Sequence, residues 1–229
     1  GTSDGPAMPR VDYWSLYNEP DNKWTQYAEF GGCWGQNATQ YAQLLRVAYD
    51  AVHAANPNGL VGIGGLGAEP NPTCTVSGCL NQQLFNTYIK AGCQPGTACP
   101  NIDTTKTDFV EQVLSVVAAN APHPYFDFLD FHSYPAFANN WDNVSPYNNA
   151  FYGKAAYYES RLAARLGNSY PRFVLSTEAG RPSNPAKAYF GVPGSDEEQS
   201  RYVVRLYAQT MRAGLRAVLI SFAVLGVTA

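Results

Sequence analysis

RFVLSTEAG, residues 172–180, sets a glutamate directly after a short apolar run and closes with a glycine. Branched and aromatic side chains over 172–177 suit a pleated strand, so Glu178 falls at a strand end. Before it, residues 152–166 carry a helical pattern and residues 126–134, FDFLDFHSY, a further strand. Earlier still, Val110, Val113, Leu114 and Val117 mark one face of a helix over 109–121. LVGIGGL, residues 60–66, is a short strand whose glycines let neighbouring backbone pack closely. Tyr41, Leu44, Leu45, Ala48 and Val52 recur at helical spacing, and Pro57-Asn58-Gly59 closes that helix. VDYWSLYN, residues 11–18, ends before Pro20 and reads as a buried strand with Trp14 in the core. On the C-terminal side come a helix over 197–213 and a strand over 217–225, AVLISFAVL. Five strands alternating with four helices imply βαβ units and a parallel α/β sheet.

Two parallel architectures compete. A doubly wound nucleotide-binding sheet needs a glycine-rich phosphate loop between a strand and a helix. Gly62, Gly64, Gly65 and Gly67 lie mostly inside a strand, the cysteine-rich insertion rather than a helix N-terminus follows them, and no GxxxxGKS match exists, so no cofactor is expected. The other architecture is a (β/α)8 TIM barrel, in which the chemistry sits at the C-terminal ends of the strands.

The composition narrows the partners. Charged residues make up 14% of the 229, against roughly 25% in ordinary soluble proteins. Sixteen tyrosines and many Asn, Gln, Ser and Thr take over surface polarity, which suits neutral, hydroxyl-rich ligands. A net charge of -3 without a basic cluster argues against nucleic acid, and no apolar run nears the roughly 20 residues that span a bilayer. Of the five cysteines, Cys74, Cys79, Cys93 and Cys99 crowd one insertion at 67–108, which holds a candidate short helix at 84–90. Their spacings and the lack of nearby His argue against zinc. Disulfides, with the pairing open, are the expectation, and with them an extracellular or periplasmic location. Cys33 is then free, or paired with one of the four. Asn37-Ala38-Thr39 and Asn143-Val144-Ser145 have the glycosylation pattern, informative only in a eukaryotic secretory protein.

A second carboxylate also ends a strand: Glu19, in Asn18-Glu19-Pro20. Glycoside hydrolysis needs one carboxylic acid to protonate the leaving oxygen and one carboxylate to attack or to activate water. A barrel brings distant strand ends to one face. By the period of two, Glu19 shares a face with Ser15, and Glu178 with Ser176.

YNEPDN at 17–22 resembles the signature of clan A glycoside hydrolases, whose acid/base Glu follows Asn at the end of barrel strand four. STEAG at 176–180 is similar to the clan's nucleophile motif at the end of strand seven, and FDFLDFHSYP to its strand six. The resemblance implies Glu19 as acid/base, Glu178 as nucleophile, Asn18 on the sugar 2-hydroxyl, and Tyr134 hydrogen-bonded to the nucleophile, with His132 and Tyr134 facing the site. It further implies a retaining glycosidase acting on a β-linked polysaccharide or oligosaccharide, with no metal. Only ten residues precede Val11, leaving no sequence for strands one to three. The chain ends just after strand eight, with no closing helix and without the Trp that often ends that strand. The expectation is one catalytic barrel domain over 1–229, a fragment covering strands four to eight of a larger enzyme.

Each residue also has a plainer reading. Asn and Pro favour turns, so NEP alone can simply close a strand; STEAG downstream favours catalysis. Glu178 can be an acid at a helix start, but its place after an apolar strand favours the barrel reading. Asp127 and Asp130, inside a strand, read as hydrogen-bonded structural carboxylates, and Glu69 as a solvated loop acid. Trp24, Trp34 and Trp141, in loops, are candidate sugar-stacking platforms. His53 and His123 call for no functional role. The competing functions are a non-catalytic carbohydrate-binding protein and a metal-dependent barrel enzyme, the latter disfavoured by three unpaired histidines. The sugar, the linkage and the oligomeric state are left open.

Overall fold

Strands and helices alternate as the periodicities require. The computed structural model describes residues 10–21, 37–67, 109–119, 124–133, 150–167, 173–180, 183 and 194–220. The strands are β1 (Tyr13–Leu16), β2 (Leu60–Leu66), β3 (Phe128–Ser133), β4 (Val174–Ala179) and β5 (Val218–Ile220). The helices are α1 (Ala38–Ala55), α2 (Phe109–Val117), α3 (Ala150–Leu166) and α4 (Asp196–Ala213). All strand pairs are parallel and the sheet order is β1-β2-β3-β4-β5. A doubly wound sheet reverses its strand order at a switch point. This one never reverses, and α1 packs on α2, α2 on α3 and α3 on α4. The fold is α/β, five parallel strands in a half-barrel with the helices along one face.

The core fills the space between sheet and helices. Val61, Ile63, Leu129, Phe131 and Val174 meet Tyr41, Leu45, Val113, Leu114, Tyr158, Leu162 and Leu206. Phe131 lies between Phe151 and Tyr158 of α3, at ring distances of 5.5 and 5.6 Å. Buried Glu111 of α2 pairs with Arg161, at 3.5 Å, and with Arg165 of α3. Ser195 caps α4 by accepting the Glu198 amide hydrogen, and Gly214, at φ 68°, ends it. Asn37 caps α1 in the same way through Gln40, a structural use for the first residue of a glycosylation pattern. Among the described residues no helix is long and apolar enough to cross a membrane.

One burial expectation fails. Tyr13 and Trp14 are 50% and 45% exposed, so Trp14 is not in the core and β1 is not a buried strand. Aromatic content reports a preference for extended backbone, whereas burial depends on what covers the strand. Among the described residues β1 is a sheet edge, paired only with β2. The cysteines, the insertion beyond Gly67, Glu69, His123 and the last strand beyond Ile220 lie outside the described residues.

Candidate active site

The face away from the helices is built from small and ionisable side chains. β3 alternates Leu129 and Phe131 toward the core with Asp130 and His132 toward the other face. β2 does the same with Val61 and Ile63 against Gly62 and Gly64. Toward the N-terminal ends of the strands this face is closed by an aromatic layer. Phe128 stacks on Phe173 at 5.4 Å, Tyr13 packs beside both, and the Arg216 guanidinium lies 4.2 Å over the Phe173 ring.

Glu19 is delivered by a strained turn. Beyond Leu16 the chain passes through left-handed backbone at Tyr17 (φ 73°) and Glu19 itself (φ 47°). Each such non-glycine residue costs about 1–3 kcal/mol and persists only where the surroundings hold it. The Glu19 amide donates to the Gly65 carbonyl at 2.9 Å. Buried Asp21 accepts the Gly67 amide hydrogen at 2.8 Å. Gly65 and Gly67 make the room: a Cβ on Gly67 would lie 2.5 Å from Glu19 Cδ, and one on Gly65 3.2 Å from His132 Nε2.

Glu178 arrives by a different device. Along β3 and β4, Phe131 stands opposite Ser176, yet His132 stands opposite Glu178. One extra residue, Thr177, is accommodated in β4 as a bulge. Ser176 therefore sits on the helix side with Phe131, and Glu178 on the open side with His132. The expected sharing of a face by Glu178 and Ser176 is wrong, because the bulge breaks the period of two. Ser15 and Glu19 do reach one face, but through the left-handed turn rather than by alternation.

The two glutamates meet at one nitrogen. Glu19 Oε1 lies 2.9 Å and Glu178 Oε2 3.0 Å from His132 Nδ1. The imidazole is 5% exposed and the carboxylates 26% and 33%, so the pair opens to solvent over a buried base. One donor atom from each of the three lies within 4.8 Å of the others. Among the described residues the same trio is the one group able to converge on a metal ion.

Supports lie beneath. Lys154 of α3, fully buried, donates to the His132 carbonyl at 2.6 Å. Tyr41 of α1 donates to the Leu16 carbonyl at 2.8 Å and accepts the Gly64 amide hydrogen at 3.0 Å. Burial pushes its phenol far above its ordinary pKa. Asp130 is fully buried, and its Oδ2 accepts hydroxyl hydrogens from Ser15 at 2.7 Å and Thr177 at 2.6 Å. Burial pushes the Asp130 pKa up, while Thr177, Ser15, the Gly65 amide and His132 pull it back. Asp127 accepts the Val61 amide hydrogen at 2.9 Å and pairs with His53 at 3.1 Å. Both aspartates are hydrogen-bonded, as expected, although Asp127 lies just before β3 rather than inside it.

Of the sequence-derived site residues, Glu19, His132 and Glu178 are brought together. Asn18 is exposed in the turn beside Glu19. Tyr134, Trp24, Trp34 and Trp141 lie outside the described residues. Sequence reasoning missed Asp21 and Lys154. Asp21 stood inside the quoted YNEPDN motif, whereas no pattern announced that the Lys154 stem would turn inward.

A parallel half-barrel of five strands has the architecture of part of a (β/α)8 barrel, with Glu19, His132 and Glu178 near its strand ends. No family model matches the sequence, and no curated protein matches it. Among solved structures the chain is similar to an endo-1,4-β-D-mannanase from Thermotoga petrophila RKU-1, at 16% identity and a TM-score of 0.44, over 91% of this chain and 44% of that one. It is also similar to the endo-1,4-β-mannanase of Rhizomucor miehei, at 13% identity and a TM-score of 0.41, over 84% and 40%. The chain spans less than half the length of these structures.

Proposed function

We propose that this chain carries the catalytic half of a retaining O-glycoside hydrolase of clan A, cleaving a β-glycosidic bond in a polysaccharide or oligosaccharide. The observation that carries the reading is the pair of strand-end glutamates sharing His132 Nδ1 at 2.9 and 3.0 Å. In the first step Glu19 gives its proton to the glycosidic oxygen while Glu178 attacks the anomeric carbon. The leaving sugar departs as an alcohol and a glycosyl ester forms on Glu178. In the second step Glu19, now ionised, takes a proton from water as that water attacks the same carbon and frees Glu178. His132 Nδ1 carries at most one proton and holds both carboxylates against it. Asn18 binds the 2-hydroxyl, Tyr134 hydrogen-bonds Glu178, and Trp24, Trp34 and Trp141 offer stacking surfaces. Secretion, with disulfides in the 67–108 insertion, belongs to the same proposal.

The test is hydrolysis by the full-length protein of a panel of β-linked oligosaccharides, mannan and glucan series included, with the anomeric configuration of the first product read by NMR. Retention is expected, Glu178→Ala abolishes turnover, and added azide traps a glycosyl azide of inverted configuration on that variant. Binding without turnover would replace the reading with the carbohydrate-binding protein. Loss of activity on chelation would replace it with a metal enzyme.

A further inference from the structure

Hydrogen bonds within a sheet set the spacing of neighbouring strands only, and Glu19 follows β1 while Glu178 lies in β4, strands that are not neighbours. Something must set their separation across two intervening strands. The Ser15 hydroxyl on β1, four residues before Glu19, reaches Asp130 Oδ2 on β3 at 2.7 Å. Thr177 on β4, directly before Glu178, reaches the same oxygen at 2.6 Å. β2 lies between β1 and β3, and neighbouring strands stand about 4.8 Å apart, so the Ser15 bond has to cross over it. Gly64 leaves that path open: a Cβ there would lie 2.4 Å from Ser15 Oγ. The bulge that turns Glu178 toward His132 also turns Thr177 toward Asp130. Asp130 is buried, two residues before His132 on the same face. The groups packed around it are Ser15 from β1, the Gly65 amide from β2, His132 from its own strand, Thr177 from β4 and the Tyr41 phenol from α1.

We propose that Asp130 is a positioning residue, its single oxygen clamping β1 to β4 so that Glu19 and Glu178 stand at the separation double displacement needs. The proposal rests on the glycosidase reading for what that separation achieves, but not for the clamp itself. It touches no substrate and acts through Ser15 and Thr177.

The experiment compares Asp130→Leu, Asp130→Asn and the double variant Ser15→Ala/Thr177→Val in the full-length protein, each first checked for folding by circular dichroism. Misplacing a reacting group by about 1 Å costs on the order of a hundredfold, so Asp130→Leu lowers kcat by about that factor while KM stays close to the parent's. Asp130→Asn keeps an acceptor oxygen and recovers most of the loss, which a variant acting through general loss of packing would not. Should Asp130→Leu fail to fold, the double variant, which leaves the carboxylate in place, is expected to show the same fall in kcat. A folded Asp130→Leu or double variant with the parent's kcat overturns the clamp while leaving the glycosidase reading intact. If the parent turns over nothing, that reading fails instead. The clamp is then judged on the His132 Nδ1 resonance in nitrogen-15 NMR. A displaced resonance in the folded double variant supports the clamp, and an unchanged one overturns it.

Discussion

Gly67→Ala separates catalysis from stability at one position. A methyl group on Gly67 would meet Glu19 Cδ at 2.5 Å, Cγ at 2.6 Å and Oε1 at 2.7 Å. Carbon atoms rest at about 3.5–4.0 Å, so the Glu19 side chain must withdraw by about 1 Å. Its backbone cannot follow easily, because the Glu19 amide is bonded to the Gly65 carbonyl and Asp21 holds Gly67 from the other side. The movement falls on the side-chain torsions and carries Oε1 away from His132 Nδ1, 2.9 Å distant in the parent. A displacement of about 1 Å at a reacting group lowers turnover on the order of a hundredfold. Stability should move little, since Gly67, unlike Gly65 at φ 56°, is outside the left-handed region and its amide bond survives. Replacing glycine with alanine at a compatible backbone stabilises by about 0.4–1 kcal/mol through the unfolded chain, which offsets part of the crowding. The assay is kcat on the best substrate of the panel beside thermal unfolding of the same preparation. A folded Gly67→Ala protein with the parent's kcat would refute the placement of Glu19 against β2.

Two further outcomes follow from the supports. Tyr41→Phe removes the donor to Leu16 and the acceptor for the Gly64 amide, leaving a buried N–H without its partner. That costs about 1–3 kcal/mol, read as a lower urea midpoint at unchanged slope, and an unchanged midpoint would contradict it. Asp130 gives a pH signature. Its folded pKa is raised above the ordinary 3.8, so the folded protein holds the proton more tightly than the unfolded chain does. The stability this contributes is full below the ordinary value and is lost as pH rises through the folded value. Asp130→Asn cannot titrate, so it should gain on the parent as pH rises from about 4 toward neutrality in thermal unfolding. A constant difference across that range would contradict the raised pKa.

The helices were legible because their signal is local. Apolar residues at spacings of three and four placed a helix over 152–166 against an observed Ala150–Leu166, and one over 197–213 against Asp196–Ala213. The strands were legible as runs, but their ends and faces were not. β4 extends through Glu178 to Ala179, and its bulge exists only as a relation to β3, invisible in STEAG read alone. The left-handed turn at Tyr17 and Glu19 breaks the preference of both residue types, and no single-sequence rule predicts a departure that the surroundings impose. Asp130 was read as a structural carboxylate, which is correct as far as it goes. Its partners stand 115 and 47 residues away, so their meeting is a property of the sheet.

The alternation within the strands carries the functional argument further than the motifs do. Strands of a parallel sheet covered on both faces read as continuous apolar runs. LVGIGGL and FLDFHS instead alternate, with Val61, Ile63, Leu129 and Phe131 to the helices and Gly62, Gly64, Asp130 and His132 to the opposite face. An apolar layer there would stabilise more, since burying Asp130 and His132 removes both from water. A fold whose only requirement was stability would fill that face with Val and Ile. The glycines leave space at the positions where Ser15, Phe128 and Glu19 approach, and the polar residues on β3 meet side chains from β1 and β4. The face is thus arranged around the two glutamates, at a cost in core packing, which is the arrangement the proposed glycosidase reading requires.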